Sequence, residues 1–104
     1  MTSAEFKAAL LAIDPALEKY KSTKAGNYTI WSPGNLAPGL DSDDAKEEND
    51  QRIYVDRFSL SDNDTIAKQI TAMLRSNFVP FEYVHMYEND TGYLHHSWTC
   101  VLEE

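Results

Sequence analysis

The side chains best suited to acid–base or metal chemistry are His85, His95 and His96, gathered near the C-terminal end of the 104-residue chain. If Tyr87 pairs with Tyr93 across a hairpin, His85 falls opposite His95, Tyr83 opposite Ser97 and Glu82 opposite Trp98. A metal site would need three or four ligands in fixed geometry. Glu82 and Glu88 are the nearby carboxylates, but no ligand-spacing motif joins them to the histidines, so no metal is expected. The acids Asp41, Asp43, Asp44, Glu47, Glu48 and Asp50 invite a calcium reading. They lack the alternating oxygen ligands, central Gly and closing Glu of a calcium loop. A solvated, self-repelling loop accounts for them more simply. In a functional version, that loop orders against a partner as it docks. The lone Cys100 excludes an internal disulfide framework and a thiolate zinc cluster, and its apolar neighbours suit a small buried hydrophobe. There is no phosphate-cradling Gly-rich loop, no Ser-His-Asp set and no paired-carboxylate pattern. The expectation is therefore no catalytic residue, no cofactor-binding residue, no cofactor and no enzyme. A surface would carry the function.

Charge narrows the choice of partner. Nine basic and 17 acidic residues give a net charge of −8. A nucleic-acid-binding face needs clustered Lys and Arg to displace counterions, and an anionic membrane needs the same. The longest apolar run, Ala8 to Ile13, is far below the ~20 residues of a membrane span. An early Glu5 and the absence of a cleavage pattern speak against a signal peptide. The sequons at Asn27, Asn63 and Asn89 then read as turn residues.

These residues need a scaffold, and the pattern supplies one domain. Thr2 and Glu5 form a capping box, after which Phe6, Leu10, Ile13, Leu17 and Tyr20 recur at helical spacing. Asp14-Pro15 predicts a kink or a helical restart. Tyr28 to Trp31 reads as a strand. Residues 32–50 have no periodicity and read as a flexible acidic loop. Trp31, beside that loop, is either a partly exposed partner anchor or a core residue. Arg52 to Leu60 is a strand; Ser61-Asp62-Asn63-Asp64 caps a second helix with Ile66, Ile70, Met73 and Leu74 on its apolar face. Phe81–Tyr87 and Tyr93–Leu102 form the hairpin, its buried face predicted as Val84, Met86, Leu94, Trp98 and Cys100. The order α-β-β-α-β-β predicts an α+β two-layer sandwich, with two helices on one face of a mainly antiparallel four-stranded sheet.

The second half of the chain resembles a known family. Ile53-Tyr54-Val55-Asp56, the Ser61–Ser76 helix, Val79-Pro80-Phe81 and the run Tyr87-Glu88-Asn89-Asp90-Thr91-Gly92-Tyr93-Leu94-His95-His96 look like small tail proteins of long-tailed bacteriophages and prophages. These are the tail-terminator or tail-completion proteins, also called minor capsid or head-tail joining proteins. The likeness runs over residues 50–104, with the N-terminal helix and strand agreeing in order. It implies a virion structural protein, made in the bacterial cytoplasm and located in the tail. Subunits form a homo-oligomeric ring, a hexamer in the assembled tail, which meets the tail tube and the head-tail connector. A long loop between early strands orders on assembly; residues 32–50 stand at the matching place. Together with Trp31, the acids at 41, 43, 44, 47, 48 and 50 are then the candidate interface. Some of them would rim the channel, where an acidic lumen repels DNA phosphate and keeps passing DNA from sticking. A stand-alone acidic module that sequesters a host factor is the alternative.

Overall fold

A computed structural model describes residues 1–20, 26–34 and 50–103. Helix α1 spans Ser3–Ile13, β1 Glu18–Lys19, β2 Tyr28–Pro33, β3 Asp50–Ser59, α2 Thr65–Ser76, β4 Phe81–Tyr87 and β5 Leu94–Glu103. The strands form one five-stranded sheet in the order β1-β2-β3-β5-β4. All neighbours are antiparallel except β1, which pairs parallel to β2 through Glu18 and Lys19. The class is α+β as expected, but the sheet is mixed and has a fifth strand.

Local chemistry explains the first element. The Thr2 hydroxyl accepts from the Glu5 amide at 3.1 Å, and the Glu5 carboxylate accepts from the Thr2 amide at 2.8 Å. Two amide donors at the helix start are thus satisfied reciprocally. Pro15 does not restart the helix. Asp14 adopts an extended conformation and ends α1, its amide donating to Leu10 at 2.8 Å, while its carboxylate accepts from the Ala16 amide. The chain turns and becomes β1, so Leu17 and Tyr20 lie outside the helix.

Both helices pack on one face of the sheet. Phe6 and Leu10 of α1 and Ala67, Ile70 and Leu74 of α2 meet Ile53, Val55, Trp98, Cys100 and Leu102 in a single buried cluster. Trp98 is fully buried, and its indole N–H donates to the Thr71 hydroxyl at 3.0 Å. Burial pushes the Cys100 thiol up to about 12, so it packs as an inert hydrophobe. Trp31 packs partly buried against this cluster, with the ammonium groups of Lys7 and Lys19 over its ring at 5.0 and 5.2 Å.

Buried charge gathers around one guanidinium. Arg57 is 4% exposed. Its guanidinium grips Asp64 with two parallel hydrogen bonds of 2.8 and 3.0 Å and reaches Thr29 at 3.2 Å and Asp14 at 3.5 Å. Asp64 also caps α2, accepting from the Ala67 amide at 2.9 Å. This polar knot ties the end of α1, the start of α2, β2 and β3 together. Burial alone would raise the Asp64 carboxyl, but the hydrogen bonds from Arg57 and Ala67 and the guanidinium charge hold it below the usual range.

Candidate assembly surface

The last hairpin pairs one residue away from the predicted register. Tyr87 faces Leu94, His85 faces His96, Tyr83 faces Trp98 and Phe81 faces Cys100. The Glu88 amide donates to the Tyr93 carbonyl, and the Gly92 amide, at φ 81°, donates back to Glu88. Tyr93 therefore belongs to the turn and not to the strand. A shift of one residue turns every side chain of a strand over. Leu94, Trp98 and Cys100 of β5 stay on the helix-covered side, as expected. In β4 the odd-numbered residues take that side, and Val84 and Met86, predicted as buried, are exposed on the opposite face at 57% and 56%.

Strand β4 is the long outer edge of the sheet; the other edge is the two-residue β1. Tyr83 and Tyr87 are also exposed, so half of the exposed large hydrophobic side chains in the described chain lie on this one strand. Edges of this kind are normally blunted by Lys, Pro or a bulge. Between Phe81 and Tyr87 the only charged side chain is Glu82.

The backbone of this edge follows from two hydrogen bonds. The Val101 amide donates to the Pro80 carbonyl at 3.0 Å, and the Glu88 amide to the Tyr93 carbonyl at 2.8 Å. Opposed residues in an antiparallel pair alternate between bonded and non-bonded pairs. Residues 80 and 88 both bond towards β5, so 82, 84 and 86 do too. Phe81, Tyr83, His85 and Tyr87 therefore turn their N–H and C=O groups outward, where no strand lies beyond them among the described residues.

A shallow groove of about 460 Å3 runs along the helix side of this edge, bounded by Ala67, Thr71, Arg75, Phe81, Tyr83 and His96 among others. The Tyr83 hydroxyl and His96 Nδ1 are 2.6 Å apart, and the rings of Tyr83, His96 and Trp98 cluster with centroids 5.3 to 5.9 Å from one another. Burial keeps the His96 ring neutral, lowering its pKa although the nearby Asp64 carboxylate opposes this. Its Nε2 has no hydrogen-bond partner among the described residues. Burial likewise raises the Tyr83 phenol.

The helix-free face of the sheet is paved at its other end. Tyr28 stacks on Phe58 at 4.7 Å, Phe58 stacks on His95 at 4.1 Å, and Tyr93 meets both edge-on. His95 Nε2 lies 2.8 Å from Asp56 and its Nδ1 3.4 Å from Glu88. His95 and His85 are thus on opposite faces and are not the cross-strand pair that the predicted register set. Among the described residues, no group of three or more His, Cys, Asp or Glu is placed to hold a metal, and no helix is long and apolar enough to cross a membrane.

The candidate interface residues fare unequally. Trp31 is on the covered face, partly exposed at the rim of the core. Asp41, Asp43, Asp44, Glu47 and Glu48 lie outside the described residues, and of Asp50 only the backbone, opening β3 opposite Glu103, is described. The exposed side chains of β4 were missed in the sequence because the expected register turned Val84 and Met86 inward. Their signal was the alternation of Phe81, Tyr83, His85 and Tyr87 with Glu82, Val84 and Met86, which leaves both faces amphipathic and either orientation plausible. Set against known proteins, the chain matches no family model, no curated protein and no solved structure.

Proposed function

We propose that this chain is an assembly subunit that works by joining copies of itself. The observation that carries this reading is β4: a seven-residue outer strand with outward backbone groups and exposed Tyr83, Val84, Met86 and Tyr87. Such an edge is a template for another strand. The resemblance over residues 50–104 narrows the reading to a tail-terminator or tail-completion subunit. In that role it forms a ring at the head-proximal end of a bacteriophage tail and joins tail tube to connector, with DNA as passing cargo. The net charge of −8 fits a channel that must not retain DNA. The chemistry of the described site needs no catalytic step for such a role.

Light scattering on the size-fractionated protein, with negative-stain microscopy of the same fractions, tests this. Association that rises with concentration, and rings with an open centre alone or on isolated tail tubes, is the expected result. One monomeric mass at every concentration, with no binding to tubes, would replace it with the stand-alone acidic module.

A further inference from the structure

We infer that two copies of this chain pair through β4, antiparallel across a two-fold axis at Val84, to make one continuous ten-stranded sheet. The inference rests on the self-association reading and gives it a contact and a register. It starts from which backbone groups are available. Phe81, Tyr83, His85 and Tyr87 point theirs outward, as shown by the Pro80–Val101 and Glu88–Tyr93 bonds. An antiparallel partner must therefore place its own outward residues against these. A second β4 can do so, because its outward residues are the same odd-numbered set.

Several registers satisfy that parity, and one uses the whole strand. With Val84 facing Val84 of the second copy, Phe81 opposes Tyr87, Tyr83 opposes His85, and Glu82 opposes Met86. Phe81–Tyr87 and Tyr83–His85 then form the hydrogen-bonded pairs, each occurring twice and exchanging about two bonds. A two-residue slip either way removes residues from the ladder at both ends.

The side chains agree with this register. Opposed residues share a face. Phe81–Tyr87 and Tyr83–His85 lie on the helix side, aromatic against aromatic, so the exposed Tyr87 ring comes to the mouth of the groove bounded by Phe81 and Tyr83. Val84 meets itself on the other face, flanked by Met86, which covers the two most exposed aliphatic side chains of the strand. Glu82 meets Met86, so no like charges are opposed. The remaining cost is long-range: two copies each carry −8. Salt screens that repulsion, so association should tighten as ionic strength rises.

A two-fold contact uses the same patch on both copies and closes at two. A ring whose two faces meet different partners is built from head-to-tail contacts, so its neighbours would use another surface and the β4 contact would pair subunits outside that ring; this separates the two readings experimentally.

Sedimentation velocity over a concentration series, combined with amide hydrogen exchange, is the test. Wild type should dimerise, more tightly at higher salt. Its Tyr83, His85 and Tyr87 amides should exchange slowly in the dimer and fast on dilution, whereas the Val84 and Met86 amides stay slow in both. Val84→Lys opposes two ammonium groups at the closest pair of the ladder and should weaken dimerisation about tenfold or more. His85→Pro removes an outward N–H and leaves the bonds to β5 alone; it should abolish the dimer with an unchanged far-ultraviolet spectrum. Val84→Thr keeps a β-branched residue and should still dimerise. A monomer at all concentrations, a folded Val84→Lys that dimerises like wild type, or dimers lacking the alternating protection would overturn the inference. Dimers with that protection but no rings defeat the ring alone. Rings whose Tyr83 and His85 amides exchange freely defeat this contact alone.

Discussion

The buried Arg57 guanidinium donates four hydrogen bonds, to the caps of α1 and α2 and to β2. Along β4 a row of backbone groups meets nothing in the described chain. Both regions hold polar groups that are costly to leave unpaired, and the chain treats them oppositely. In the knot the partners come from within, so the groups fix the positions of α1, α2, β2 and β3. At the edge the outward groups have no strand partner among the described residues, which is what the proposed pairing would use. Folding and the proposed association thus draw on separate groups, although β5 and α2 adjoin both the core and the edge. Substitutions in the first region should unfold the protein without defining a contact; substitutions in the second should change contacts and leave the fold.

The largest effect expected is at the knot. Asp64→Ala leaves the Arg57 guanidinium buried without its bidentate partner and removes the cap of α2. Breaking a buried pair from one side costs about 3–5 kcal/mol, and urea denaturation should show a loss in that range. Trp98→Ala, next to it in size, opens a cavity under α2 and strands the Thr71 hydroxyl; about 3–5 kcal/mol is again expected. A loss under about 1 kcal/mol at either position would mean that the core is not organised as described.

What the sequence made legible follows the same division. Elements with a period or a cap were readable: the Thr2–Glu5 box, the apolar face of α2, the alternation in β3 and the hairpin. Strand β1 was not, because two residues have no period, and Asp14-Pro15 fits a helix restart as well as a helix end. The register of β4 was not, because Tyr93 could be the first strand residue or the last turn residue, and only the Glu88–Tyr93 bond decides it. The knot had a visible signal in Arg57, a charge on the same parity as Ile53 and Val55. Its partners, Asp14 and Asp64, are 43 and 7 residues away, and no spacing rule connects them.

Acid should probe the covered side in two stages. His96 is held neutral, below its ordinary 6.5, by burial against Tyr83 and Trp98, with Asp64 opposing and Arg57, His85 and His95 reinforcing. A base with a lowered folded pKa contributes stability that is complete above 6.5 and lost as pH falls from there. Asp64, held below its ordinary 3.8, contributes stability that is complete above 3.8 and lost below it. Melting temperature should thus fall in one step beneath 6.5 and in another beneath 3.8. Replacing His96 with Phe should flatten the first step relative to wild type and leave the second. If the first step is as deep in the Phe variant, His96 is not the group that titrates there.

The smallest effect expected lies where helix α2 hands the chain to β4, and it runs in the stabilising direction. Phe78 follows the cap residue Asn77 with φ at 55°, in the left-handed region. The Phe78 amide donates to Arg75 and the Val79 amide to Leu74, the paired bonds that close a helix through a residue usually Gly. Here an aromatic residue occupies that place while 91% exposed, so it bears the backbone strain with little packing in return. Phe78→Gly relieves the strain but also loosens the unfolded chain, and a net gain of about 0.5 kcal/mol is expected. Because Phe78 precedes the segment 81–87 proposed to pair, the same change should leave the constant of the proposed dimer where it was. A drop in stability would show that the exposed ring contributes more to the folded protein than its strain removes. A weaker dimer would extend the contact beyond β4 to the turn that feeds it.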